Sequence, residues 1–227
     1  MLYNEFFDRD SAVVAKNLLG KVIRVNYQNC WLSAAIIETE AYYLNDKGSH
    51  ASLGYTEKRK ALFMPPGTIY MYYSRGGDSL NISCRGKGNA VLIKSGIPFT
   101  HSKPMLSIMQ QLNPKRDGVS ERNVKRLCSG QTLLCKSLGL LVKEWDQKKF
   151  DKNKFFIDDV NCTPRAIIQT RRLGIPKGRD EHLPYRFIDY DYAPFCTENP
   201  LRKRGWQEGK DYVSIQRGAK PHENAQK

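Results

Sequence analysis

The chain has 227 residues, which allows one domain or a small pair at roughly 150 residues per domain. With 40% hydrophobic and 26% charged residues its composition is that of a globular protein, excluding a disordered polymer or a fibrous repeat. Thirty-seven Lys plus Arg against 23 Asp plus Glu leave a net charge of +14. That excess points to a polyanionic partner, nucleic acid first and an anionic membrane surface second, with a generally basic solvated surface as the plainer alternative.

A short helix opens the chain. Asp10 or Ser11 can cap it, Val13, Val14, Leu18 and Leu19 give it an apolar face, and Gly20 suits the left-handed C-terminal position. Two strand-like runs follow, Lys21–Tyr27 and Trp31–Tyr42, with Gln28–Asn29 turning a hairpin between them. Residues 43–60 are polar, contain Gly48 and Gly54, and read as a long loop. After Pro65-Pro66-Gly67, strand formers at Thr68–Tyr73 lead into a tight turn, Arg75-Gly76-Gly77-Asp78, and two short strands, Leu80–Cys84 and Asn89–Lys94. Helical spacing marks Pro104–Leu112, then Arg122–Leu127 and Thr132–Leu138 on either side of Ser129-Gly130. Phe155–Asp158, Arg165–Thr170 and Arg186–Asp189 read as strands. Strands gather first and helices afterwards, without βαβ alternation, which argues for an α+β fold rather than a doubly wound sheet. No repeat or low-complexity linker interrupts residues 1–216, which are expected to form a single domain. Residues 217–227 read as a polar, flexible tail.

No apolar run approaches the ~20 residues of a membrane helix. The N-terminus carries Glu5 and Asp8 and no apolar core, so a soluble, intracellular protein is expected. Cys30, Cys84, Cys128, Cys135, Cys162 and Cys196 are too scattered for a disulfide scaffold and read as reduced. No pair has Cys-x-x-Cys spacing and the histidines are isolated, so no structural zinc, iron–sulfur or other metal site is expected.

Two segments stand out chemically. In Ile36-Ile37-Glu38-Thr39-Glu40-Ala41-Tyr42, strand alternation puts Glu38, Glu40 and Tyr42 on one face. A carboxylate pair beside a tyrosine could hold and deprotonate a water; the bland reading is a strand end with its acids in solvent. In Pro66–Asn81, Tyr70, Tyr72 and Tyr73 precede a glycine-hinged turn carrying Arg75. Such tyrosines usually pack across a sheet, but they could also stack single bases while a protruding side chain fills the gap in a duplex. Basic residues add a third, diffuse feature. Asn113–Leu127 holds five against two acids, and Arg171-Arg172, Lys177, Arg179 and Arg202-Lys203-Arg204 extend the positive charge. Phosphate contacts would use such residues.

Taken in order, these segments resemble the alkyladenine (3-methyladenine, methylpurine) DNA glycosylase family. The resemblance runs from Phe7 to about Ser214. It is carried by Leu18-Leu19-Gly20-Lys21-Val22, Glu38-Thr39-Glu40-Ala41-Tyr42, Phe63-Met64-Pro65-Pro66-Gly67-Thr68, Asn81-Ile82-Ser83, Ala90-Val91-Leu92, Leu127-Cys128-Ser129-Gly130, Arg172-Leu173-Gly174-Ile175 and Pro184-Tyr185-Arg186-Phe187. It implies a single α+β domain with a curved antiparallel sheet and surrounding helices. It also implies excision of alkylated or deaminated purines (3-methyladenine, 7-methylguanine, hypoxanthine, ethenoadenine) from double-stranded DNA by water, without a metal or organic cofactor. A monomer with no obligate protein partner and no membrane association is the expectation.

By that resemblance Glu40 matches the general base, and Tyr42 and Tyr72 match the aromatics that sandwich the flipped base. His50 matches the pocket histidine, in a loop one residue shorter than usual. Asn81 matches the residue that crowds the purine 2-position, and the backbone carbonyl of Leu173 the group that helps hold the water. Arg171 and Arg172 are expected to contact DNA. Two positions depart from the family pattern. The water-holding arginine falls at Lys94, which loses the planar fork and whose amine raises bifunctional glycosylase/lyase chemistry through a Schiff base. The intercalating aromatic is replaced near Arg75, with Tyr73 as the fallback wedge. The main alternative is a weakly active or non-catalytic damaged-DNA-binding protein on the same scaffold.

Overall fold

The computed structural model describes residues 1–74 and 76–217. Arg75 and residues 218–227, the bulk of the expected tail, lie outside the described residues.

Asn4–Phe7 form one helical turn (α1), which composition did not signal. In α2, Ser11–Leu18, the Asp10 carboxylate accepts the backbone N–H groups of Ala12 and Val13, satisfying donors that a helix start leaves free. Val14, Ala15 and Leu18 are buried, whereas Val13, assigned from the sequence to the apolar face, is 38% exposed. Gly20 ends the segment at φ +84°, and a Cβ there would stand 2.5 Å from the Cys162 carbonyl oxygen. Glycine is required on both counts.

β1 (Val22–Tyr27) and β2 (Cys30–Tyr42) pair antiparallel around Gln28 and Asn29, whose φ values of 48° and 64° make the two-residue turn that suits twisted hairpins. The expected long loop holds the 3-10 segment His50–Leu53 and the start of a second, Glu57–Phe63, which runs past it. β3 (Ile69–Ser74), β4 (Gly77–Ser83) and β5 (Ala90–Pro98) follow, then α3 (Lys103–Leu112). The helix expected at Arg122–Leu127 is only a 3-10 turn, Val124–Arg126. Asn123 caps the Lys125 N–H, and the Arg122 guanidinium is drawn away to the carbonyls of Asn113 and Pro114. α4 (Gln131–Leu138) and α5 (Val142–Trp145) precede β6 (Phe155–Asp158), β7 (Ala166–Thr170) and β8 (Arg186–Asp189). β9 (Tyr212–Gln216) escaped the sequence reading because an edge strand with no buried residue lacks alternating burial. The Arg217 N–H bonds the Arg165 carbonyl, so that residue continues the edge.

The described residues make one domain of the α+β class, a nine-stranded sheet ordered β3-β4-β5-β2-β8-β7-β9, with β1 against β2 and β6 against β1. Every pairing between these strands is antiparallel. β2 is the hub. Along one edge it pairs with β5; the other edge is shared by β1 at Cys30–Ala35 and β8 at Glu38–Glu40.

One face of the sheet holds the main core, including Ile69 and Met71 of β3, Leu80 and Ile82 of β4, and Val91 and Ile93 of β5, with Val14, Leu18, Met109, Leu134 and Leu138 from the helices. Residues between them face the other way. β2 follows this alternation only because it breaks it once. Leu32, Ala34 and Ile36 face the core, and so does Ala41; the change of parity falls at a register shift between Ile36 and Glu38. A second shift faces it on β5, where Glu38 pairs Ser95 and Thr39 pairs Ile93, leaving Lys94 as the extra residue. Bulges of this kind re-aim side chains. These two turn Glu38, Glu40, Tyr42 and Lys94 off the core face.

No helix among the described residues is long and apolar enough to cross a membrane.

Candidate active site

On the face opposite the main core lies a cavity of about 320 Å³, within the size range of small-ligand sites. Tyr42, His50, Tyr72, Asn81, Lys94 and Leu173, all candidates from the sequence, line it together. They come from β2, the 3-10 segment after Ser49, β3, β4, β5 and the loop after β7. Glu40 lies behind Tyr42 and Lys94, fully buried.

The two carboxylates of β2 have different fates. Glu38 is saturated: its oxygens accept Arg186 Nε at 2.7 Å, the Ser95 hydroxyl at 2.5 Å, the Thr197 hydroxyl at 2.6 Å and the Thr197 N–H at 3.1 Å. Burial alone would raise its pKa, but the Arg186 charge and the two hydroxyls outweigh it and hold the carboxyl below the usual range. The sequence reading of a carboxylate pair sharing one water therefore gives way to a structural Glu38 and a free-handed Glu40.

Glu40 Oε2 accepts the Tyr42 hydroxyl at 2.7 Å. Its Oε1 lies 3.4 Å from Lys94 Nζ and has no hydrogen-bond partner among the described residues. Burial and the neighbouring Glu40 carboxylate push the Tyr42 phenol well above its usual pKa, so it stays a donor.

Arg172, expected from the sequence to contact DNA, is corrected by its position. It is buried, grips the Asp46 carboxylate with both terminal nitrogens, and donates to the Ala41 carbonyl. Its guanidinium stands 4.6 Å from the Tyr42 ring centroid, so it buttresses that ring rather than reaching solvent. Arg171 is exposed, with its guanidinium over the Trp206 ring. Tyr73 is 70% exposed at the end of β3, next to the cavity-lining Ser74. Arg75, the other wedge candidate, lies outside the described residues.

On the tyrosine wall, His50 packs on Tyr72 with ring centroids 4.5 Å apart, and its Nδ1 lies 3.0 Å from the Tyr70 hydroxyl. Partial burial and the charges of Arg59 and Arg179 lower the His50 pKa below 6.5. The imidazole is thus neutral at pH 7 and charges only as the medium becomes more acid than for a free histidine. An NMR titration of this ring is expected to give an apparent pKa under 6.5; a value above that would mean that neither burial nor the two arginines governs its protonation.

Sequence reasoning missed three contributors. Gln131, at the first position of α4, lines the cavity and donates to the Ser79 hydroxyl at 2.9 Å. Arg179 lines it too, tethered to the Lys47 carbonyl at 2.8 Å. Asp46 anchors the loop below His50 through Arg172. Gln131 and Asp46 belong to no motif, and Arg179 was one charge among many. Among the described residues no group of three or more His, Cys, Asp or Glu side chains is placed to hold a metal ion.

The family model for methylpurine-DNA glycosylase matches residues 5–193. A Pseudomonas aeruginosa protein (strain LESB58) is 62% identical over 214 residues, covering 93% of this chain and 89% of its own length. A Pseudomonas syringae pv. tomato protein is 60% identical over 220 residues, 96% of this chain and 98% of its own. A more distant relative from Clostridium beijerinckii is 31% identical over 219 residues, 94% and 98% of the two chains. All three carry the name "Putative 3-methyladenine DNA glycosylase". The chain belongs to the methylpurine-DNA glycosylase family.

Proposed function

We propose that this protein is a base-excision repair DNA glycosylase that flips a damaged purine into the tyrosine-walled cavity and hydrolyses its N-glycosidic bond. The observation that carries the reading is Glu40 Oε1, an oxygen facing Lys94 with a lone pair unclaimed by any described residue. Family membership and the names of the relatives support the substrate class: 3-methyladenine and other alkylated or deaminated purines in duplex DNA.

In this mechanism a water bound at Glu40 Oε1 attacks C1′ as the sugar becomes oxocarbenium-like. The C1′–N9 bond breaks with its electron pair leaving on the purine, and the water's proton passes to Glu40. The products are a free purine and an abasic site. The carboxylate stabilises the sugar cation during the step. Lys94 and the Leu173 carbonyl position the water. Tyr42, backed by Arg172, and Tyr72 with His50 offer ring faces to the flipped base. Asn81, whose amide donates to the Tyr70 carbonyl at 3.3 Å, crowds the purine 2-position. Tyr73, exposed at the rim, fills the gap left in the duplex. Damaged bases cost less to unstack, which adds selectivity ahead of the cavity.

The test is single-turnover excision from duplexes carrying hypoxanthine or 7-methylguanine. Strand cleavage that depends on later alkali is the expected result; tight binding without excision would leave a damaged-DNA-binding protein. Lys94, whose side chain is only 13% exposed, keeps the lyase reading in view. Borohydride is expected not to trap the protein on DNA, and Lys94→Arg should hold or raise the rate by restoring a planar donor fork. A trapped complex together with an inactive Lys94→Arg protein would instead establish Schiff-base chemistry.

A further inference from the structure

The family match stops at residue 193, but the described chain continues through a folded segment to β9. This segment is pinned on both sides. Tyr212 pairs with Thr170 of β7, the Thr170 hydroxyl donates to the Asp211 carbonyl at 3.0 Å, and the Asp211 carboxylate accepts the Gln207 N–H at 3.0 Å. The Trp206 N–H in turn bonds the Lys203 carbonyl at 3.2 Å. As a result Trp206 is held beside the end of β7. The Arg171 guanidinium lies 4.6 Å and Lys203 Nζ 4.9 Å from its ring centroid.

Positive charge is in excess there, although Glu198 and Asp211 flank the segment. Residues 199–210 contain Arg202, Lys203, Arg204 and Lys210 against a single acid, Glu208. Lys203 pairs with Glu198 at 3.1 Å, but among the described residues Arg171, Arg202, Arg204 and Lys210 form no ion pair. Two cations converging on one indole repel each other, and an anion between them would relieve that repulsion. A guanidinium stacked on a ring also keeps its edge donors free for a phosphate. Arg171 is two residues before Leu173, which lines the cavity.

We propose that residues 199–210 and Arg171, organised by Trp206, form a second DNA-binding surface that grips backbone phosphates of the duplex outside the lesion cavity. It carries no base readout. Its contribution is affinity and salt dependence, since each neutralised phosphate releases bound counterions. The inference rests on the DNA-directed reading above, but not on excision.

The experiment is fluorescence anisotropy on an undamaged duplex across a salt series, comparing the full-length protein with a triple variant, Arg202→Gln/Arg204→Gln/Lys210→Gln. These side chains make no ion pair with any described residue, so the variant should fold, and thermal melting checks this. If all three contact phosphate, the slope of log affinity against log salt should flatten by roughly 2 to 3, at about 0.9 per contact. Trp206→Ala should flatten it by roughly one contact by freeing Arg171, and Trp206→Phe, which keeps a ring, should restore most of it. Binding with an unchanged slope in the triple variant overturns the inference alone. Failure of the wild-type protein to bind duplex overturns the DNA reading and the inference with it.

Discussion

Glu40→Gln is expected to lower single-turnover excision by roughly a hundred- to ten-thousand-fold, the range that a positioned general base contributes. The substitution is nearly isosteric. The amide oxygen can still accept the Tyr42 hydroxyl, which now sits 2.7 Å from the carboxylate, so the cavity wall should keep its shape. What is lost is the anion opposite Lys94 and the proton acceptor for water. Binding to a lesion-bearing duplex should stay close to wild type, because Glu40 is fully buried and grips no backbone phosphate. Measured rates at saturating protein separate the two effects. Turnover near the wild-type rate would remove Glu40 from the role of base.

The largest stability effect is expected at the other carboxylate. Glu38 and Arg186 are 0% and 1% exposed and joined at 2.7 Å, with Ser95 and Thr197 completing the shell. Arg186→Met would leave a buried anion without its cation, at a cost of about 3–5 kcal/mol. For a chain of this size that corresponds to a fall in Tm of roughly 6–20 °C. The double variant Glu38→Gln/Arg186→Met should regain part of the loss, because neither charge is then stranded. The pH dependence follows from the direction of the Glu38 shift. The folded state holds this carboxyl ionised more firmly than the unfolded chain does, so in acid the unfolded chain binds the extra proton. The stabilisation is complete above the ordinary carboxylate pKa of 4.5 and drains away as pH falls below it, through the lower folded-state value. Urea melts at pH 7 and pH 4 should show the wild type losing more stability on acidification than the double variant. An equal loss would mean that Glu38 is not the group responsible.

Local chemistry made much of this architecture legible. Asn29 and Gln28 between alternating apolar runs marked the first hairpin, and period-two spacing put Tyr70 and Tyr72 on one face of β3 and Ile69 and Met71 on the other. Glu40, Tyr42, His50, Tyr72, Asn81, Lys94 and Leu173 could be brought together only through the resemblance to a family, because their elements lie far apart along the chain. What stayed hidden depends on partners distant in sequence. Arg186 lies 148 residues from Glu38 and Arg172 lies 126 from Asp46, and an arginine in a basic sequence reads as surface until its acid is located. The same holds for the helix expected at Arg122–Leu127. Its apolar spacing was real, but Arg122 found better acceptors in the carbonyls of Asn113 and Pro114 than continued helix would offer.

The facing irregularities of β2 and β5 set a rule for how this protein can vary. Ile37 and Lys94 are each one residue out of step with the neighbouring strand, and the two offsets cancel, so pairing resumes in register at Thr39 with Ile93. Side-chain replacement in this stretch leaves the phase of the strands untouched. Loss of a single residue beyond the bulge does not: without Thr39, the chain from Glu40 to Tyr42 would turn over, carrying the Glu40 carboxylate into the apolar interior and Ala41 out of it. Divergence among descendants of this sequence should therefore proceed here by exchange of residue types at constant length, while insertions and deletions collect in exposed loops away from the cavity, such as 115–121.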